Sequence, residues 1–247
     1  MSRRVAPDHR AAPTTPEPAL FEILELIASV TAAASPYLPV FPSPRPDPVP
    51  ACILCSLVTR AVTRGIRALF AEFVNDPESR LRIRSAHGFC REHTRLVAST
   101  GDVLGVAILY ADLADQTVER WQRDAASPAS SRWLGSRSRT APCPACDLET
   151  EGDSRYCGAL AAGLGEEAVW NGLEESAILC AAHVGKVAAL AKREHAGKLL
   201  SLEAEKLHKL SEDLHETIRK HDYRYRNEEW GPERDAWLRA LDRLTKP

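Results

Sequence analysis

Apolar residues recur at every third or fourth position through most of this chain, and strict apolar/polar alternation is almost absent. That period belongs to helices with one buried face. The first such stripe is Leu20, Ile23, Leu24, Ile27 and Val30, with Glu22, Glu25 and Ser29 around it, and it predicts a helix that ends before Pro36. Between Pro36 and Pro50 lie seven prolines in fifteen residues, which predicts an extended connector. After Cys55, the positions Val58, Ala61, Val62, Gly65, Ile66, Leu69, Phe70 and Phe73 draw a second helix, stopped by Asp76-Pro77. A short basic piece, Arg80 to His87, then leads to a helix holding Leu96 and Val97, which Gly101 ends. A further helix from Val103 to Arg123 presents Leu104, Ala107, Ile108, Ala111, Val118 and Trp121.

Residues 125–142, with five serines, three arginines and two prolines, interrupt the pattern and predict an exposed linker. Beyond them the periodicity resumes. Following His183 a long helical pattern runs through Leu199, Leu202, Leu207, Leu210, Leu214, Ile218, His221 and Tyr225, with a kink expected near Gly197. Gly231-Pro232 opens a final helix whose stripe is Trp237, Ala240, Leu241 and Leu244. Residues 1–18, rich in Pro, Arg and Ala, carry no period and predict a mobile tail.

Composition sharpens this picture only in part. Of 247 residues, 44% are apolar, enough for a real core, and 13 glycines with 6% aromatics argue against an all-β protein. The fold class is therefore all-α. A formal net charge of −2 demands no nucleic acid and no anionic surface. The MSRR start and Ala32, Ala33 and Ala34 imitate an export signal, but Glu22 and Glu25 break the apolar stretch. No segment has the ~20 uninterrupted apolar residues needed to span a bilayer. The expectation is a cytoplasmic protein.

The cysteines supply the chemistry. Cys52 and Cys55 form a CxxC pair followed by Cys90 and His93; Cys143 and Cys146 form another, followed by Cys180 and His183. From one copy to the next, the CxxC pairs shift by 91 residues and the CxxH pairs by 90. At the 91-residue offset Leu57 matches Leu148, Leu69 matches Leu160, Phe73 matches Leu164, and Ile66 matches Cys157. The pattern predicts an internal duplication, with Cys157 a small buried hydrophobe. Each copy offers three thiolates and one imidazole, the closed set of a structural zinc site, so two zinc ions are expected. Near-equal separations within each copy favour pairing inside the copy; the crossed alternative, CxxC of one with CxxH of the other, stays open. Three thiolates and a histidine could also hold an iron–sulfur cluster. A redox dithiol at Cys143–Cys146 lacks the βαβ context such sites occupy.

The other dense polar segment is Arg219 to Arg226, followed by Asn227, Glu228, Glu229 and Trp230. Its acidic neighbours Glu228, Glu229, Glu233 and Asp235 favour a salt-bridged helix end. Two functional alternatives attach to it. With Arg132, Arg137 and Arg139 it could contact nucleic acid, and His221, Asp222, Tyr223 and Arg224 could converge as an enzyme site.

The order CILC, GFCREH, CPAC, LCAAH and RKHDYRYRNEEWGPERDAW resembles a prokaryotic family, domain of unknown function 6062, over about residues 20–245. The resemblance implies the paired Cys and His positions and the terminal HDYR segment, and brings no activity with it. The organisation expected is a tail (1–18), a first helical zinc unit (19–124), a linker (125–142) and a second unit with the long and the short final helix (143–247). Closed sites and no recognisable catalytic motif point to an interaction or scaffold protein with protein partners rather than to an enzyme. Its oligomeric state is not legible.

Overall fold

The computed structural model describes residues 18–31, 52–126, 141–175, 178–225 and 227–244, the side chains of 28–31 excepted. The connector Pro36–Pro50, the tail up to residue 17 and positions 127–140 of the linker lie outside the described residues. Those described contain helices and no strand, as the periodicity predicts. The helices are α1 (Pro18–Thr31), α2 (Ile53–Ala68), α3 (Pro77–Ser85), α4 (Arg91–Ser99), α5 (Val103–Ala126), α6 (Pro144–Gly163), α7 (Glu167–Glu175), α8 (Ala181–Leu190), α9 (Arg193–Lys220) and α10 (Ala236–Leu244). One wide π turn, Leu69–Phe73, extends α2, and a 3-10 turn, Pro232–Asp235, precedes α10.

The core forms around α2 and α6. A Cβ added to Gly65 would meet Leu148, and one added to Gly152 would touch Val58 and Ala61, so higher numbers on α2 face lower numbers on α6. The two helices therefore run antiparallel. Helix α1 lies against α6 and α7, with Ile23 fully buried, Leu20 seated on Gly163 and Ile27 on Gly172. Glu22, which argued against an export signal, accepts a 2.6 Å hydrogen bond from the buried Tyr156 hydroxyl. Helix α8 follows on α6, α9 on α8, and α10 on α9.

Several local expectations are revised. The basic piece Arg80–His87 lies largely within α3, because Asp76 is an N-cap whose Oδ2 accepts from the Ser79 amide at 2.8 Å and Pro77 occupies the first turn. Asp-Pro there starts a helix as well as stopping one. The break in the long C-terminal pattern falls at Ala191–Lys192, not at Gly197, and α9 ends at Lys220 rather than Tyr225. On α5 and α10 the helix is right but the buried face is not. Helix α5 buries Gly105, Leu109 and Leu113, and α10 buries Ala236 and Arg243, leaving Trp121, Trp237, Leu241 and Leu244 exposed. The matched leucines also differ: Leu57 is buried where Leu148 is exposed, and Leu164 is buried where Phe73 is exposed.

Candidate metal centres

Four helix starts carry the eight Cys and His positions. Cys52, Cys90, Cys143 and Cys180 are the N-cap residues of α2, α4, α6 and α8, and the carbonyl of each accepts the first helical amide. The residue three positions on then lies one turn into the helix, on the same side. Helix N-termini carry partial positive charge, which favours thiolate at these positions. At Cys90 burial raises the thiol pKa, but the backbone amides of His93 and Glu92 together with the Cys146 and Cys143 thiols outweigh it and the net shift is downward.

The eight residues assemble into two clusters of four. One contains Cys52, Cys55, Cys180 and His183, the other Cys90, His93, Cys143 and Cys146, and within each the ligand atoms lie within 4.8 Å of one another. Each cluster therefore takes its CxxC from one half of the chain and its CxxH from the other. This overturns the pairing within each copy that near-equal spacing favoured. In the first cluster His183 Nδ1 lies 3.3, 3.4 and 3.1 Å from the sulfurs of Cys52, Cys55 and Cys180, and Cys55 and Cys180 are 3.9 Å apart. In the second, His93 Nδ1 lies 3.2, 3.7 and 3.4 Å from Cys90, Cys143 and Cys146, with Cys146 3.8 Å from Cys90. The cysteines are all free thiols. Both clusters could hold a metal ion.

Helix lengths explain the crossing. Residues 53–73 carry the chain about 30 Å from the first cluster at 1.5 Å per residue, and the nine residues of α3 return it by only about 13 Å. The start of α4 is thus left at the far end of α2, where antiparallel packing has placed the start of α6. The same arithmetic applies to α6, with 20 residues, and α7, with nine.

Both histidines turn the same nitrogen inward and face a carboxylate on α6 with the other, His183 in a hydrogen bond and His93 at longer range. His183 Nε2 lies 2.8 Å from Asp153 Oδ1, and Lys186 donates to Asp153 Oδ2 at 2.8 Å. His93 Nε2 is 3.6 Å from Glu149 Oε2. A carboxylate on Nε2 holds the proton there, so that a cation displacing the proton of Nδ1 would meet a lone pair directed at the sulfurs, as ligands require. Sequence reasoning missed both carboxylates; on α6 their signal was only a spacing of three and seven residues from Cys146.

The two clusters differ in exposure. Cys52, Cys180 and His183 are 2–3% exposed, whereas Cys90, Cys143 and Cys146 are half-buried. In the buried cluster, hydrogen bonds from the Cys52 and Cys55 thiols push Cys180 far down, while those to Cys180 and Cys52 push Cys55 far up. One sulfur holds the negative charge that its neighbours share. Burial opposes protonation of His183, yet the sulfurs of Cys180 and Cys52 hold its pKa up at about 10, a measure of the negative potential a cation would meet. Burial pushes Cys157 up to about 12. Its sulfur lies 4.0 Å from Asp153 Oδ1, so it approaches the ligands from behind.

The HDYR segment does not gather into a cleft. His221, Tyr223 and Arg224 are exposed, His221 Nδ1 sits on the Thr217 carbonyl at 2.8 Å, and Asp222 pairs with Arg224. The expected acidic pairing is present in part: Arg219 binds Glu228, and also Glu216, Lys220 binds Glu233 at 2.7 Å, while Asp235 pairs with Arg239 on α10 instead. His221 is turned outward against Trp230, contrary to the expected inward stripe. Arg132, Arg137, Arg139 and Arg226 lie outside the described residues. No helix among the described residues is long and apolar enough to cross a membrane.

A search of solved structures finds no match. The chain is similar to an uncharacterized 23.9 kDa protein in the xynA 3' region of Caldicellulosiruptor sp. (strain Rt8B.4), 30% identical over 179 residues that cover 70% of this chain and 83% of the relative. Residues 47–247, which contain both Cys/His clusters and the HDYR segment, match the family of unknown function DUF6062, and the chain belongs to that family.

Proposed function

We propose that this is a cytoplasmic, zinc-stapled helical scaffold that works by binding other proteins, with one ion in each Cys3His cluster. The observation that carries the reading is that two complete ligand sets each join one half of the chain to the other. Zinc with bonds of about 2.3 Å to sulfur and about 2.0 Å to nitrogen sets tetrahedral edges near ~3.8 Å for S···S and ~3.5 Å for S···N. The separations of 3.8–3.9 Å and 3.1–3.7 Å fit that figure. A polynuclear iron–sulfur cluster would seat its cysteines on different irons and spread them apart. Four protein ligands also leave no position for water or substrate, which favours a structural over a catalytic role. The halves 19–124 and 143–247, joined by 125–142, are read as copies of one ancestral unit that interlock through α2 and α6. The common N-cap placement of all four leading cysteines supports this.

Elemental analysis of the purified chain tests the proposal. Two equivalents of zinc per chain are expected, falling to one in Cys90→Ser. Retention of both in that variant, or iron with the visible absorption of a cluster, would refute it.

A further inference from the structure

Helix α5 is anchored by one face and bare on the opposite one. Gly105, Leu109 and Leu113 are buried, and a Cβ at Gly105 would come within 2.7 Å of Phe70. Diametrically opposite, Leu104, Ala107, Ala111, Ala114, Val118 and Trp121 are all exposed, Leu104 at 71% and Trp121 at 64%. Their spacing of three, four, three, four and three residues is the 3.5-residue repeat of a coiled-coil seam. No charge interrupts the row. Soluble chains seldom leave so continuous an apolar strip uncovered.

We infer that this strip is the seam of a homodimer in which α5 of two copies pair antiparallel. The strip is complementary to its own reverse. A two-fold axis between Ala111 and Ala114 sets these two small residues against each other at the close-packed centre. It also sets Ala107 against Val118 of the partner copy and Leu104 against Trp121 of the partner copy. At the start of α5 lies a shallow groove of about 400 Å³, lined by Ala98, Gly101, Asp102, Val103, Val106 and Ala107. Two of its lining residues, Val103 and Ala107, flank the Leu104 position opposite which antiparallel pairing sets the partner's indole, so each copy offers one knob and one hole, the requirement of an isologous contact. Parallel pairing would stack Trp121 on its own copy and leave both grooves unfilled. The strip from Leu104 to Trp121 is about 25 Å long, and one helix face of that length covers less than the ~800 Å² per copy of a standard interface, so micromolar dissociation is expected. The inference does not depend on which metal occupies the clusters.

Sedimentation velocity on the full metal-loaded chain, from about 1 to about 300 µM, tests it. A concentration-dependent monomer–dimer equilibrium is expected, and Ala114→Arg, an exposed change that keeps helicity and metal content, should weaken it at least ~10-fold. The register is tested by Leu104→Ala, Trp121→Ala and their combination. These positions lie about 25 Å apart in one copy but touch across the axis, so the double variant should be little weaker than the more damaging single. A chain monomeric throughout the range, a dimer indifferent to Ala114→Arg, or additive effects of the two truncations would each overturn the inference.

Discussion

Replacing two cysteines at a time separates the crossed clusters from the pairing that spacing alone suggests, with opposite outcomes. Cys55→Ser/Cys180→Ser removes two ligands from one observed cluster and should leave one metal equivalent; Cys55→Ser/Cys90→Ser damages both clusters and should leave none. Pairing within each copy reverses the two results. Stability should follow the same order. The staple joining Cys55 to Cys180 closes 125 residues and the one joining Cys146 to Cys90 closes 56. Loop-closure entropy then assigns them about 4.9 and about 4.2 kcal/mol respectively. Against the ~5–15 kcal/mol of a typical domain, losing one staple should cost roughly 10–20 °C in Tm, and losing both should leave little cooperative folding. The assay is metal released per chain by a thiol reagent with a colorimetric indicator, alongside thermal unfolding followed by circular dichroism. One equivalent in Cys55→Ser/Cys90→Ser and none in Cys55→Ser/Cys180→Ser would refute the crossed assignment and the helix-length argument behind it.

Three further outcomes are expected. Cys157→Ala should keep both metal equivalents and lose about 1 kcal/mol from a small cavity, since Cys157 is 1% exposed; loss of an equivalent on elemental analysis would make it a ligand. Asp153→Asn should lower metal affinity of the buried cluster by about 10- to 100-fold in chelator competition, because the carboxylate 2.8 Å from His183 Nε2 holds the imidazole in its ligating tautomer. Glu149→Gln, at 3.6 Å and more exposed, should do less, and equal effects would undo that ranking. The Lys220 ammonium and the Gly231 amide hold Glu233 down at about 2, from 4.5. A depressed carboxylate stabilises the fold above its unfolded pKa and loses that contribution as pH falls from about 4.5 toward about 2. The stability gap between the native chain and Glu233→Gln, about 2 kcal/mol at pH 7 after solvent screening, should therefore narrow at pH 3. A gap constant with pH in denaturant titrations would show that the pair contributes nothing.

The sites and the folds around them were unequally legible. Cys52, Cys55, Cys90, His93, Cys143, Cys146, Cys180 and His183 announced themselves as candidate ligands because ligands on one helical turn must sit three residues apart, a rule local to the chain. Asp153 and Glu149 did not, since a carboxylate on a helix surface is ordinary until a histidine from elsewhere arrives beside it. The faces of α5 and α10 misled for the opposite reason. Their bulkiest apolar residues, Leu104 and Trp121 on one and Trp237 and Leu241 on the other, lie outward, while Gly105 and Ala236 let neighbouring elements approach closely.

What the residues determined by themselves was short-range: helix starts at the CxxH pairs, helix stops at Asp-Pro and Gly, the all-α class, and eight candidate metal-ligating side chains in four pairs. Backbone hydrogen bonds and ligand spacing act within one or two turns, so they can be read along the chain. Which pairs meet was decided only in three dimensions. Helix α2 and its π turn, together about 30 Å long, carry the chain away from its own CxxC, and an α3 too short to return leaves the following CxxH beside the other half. The antiparallel packing of α2 on α6, through Gly65 and Gly152, then makes that distant meeting the place where the ligands close.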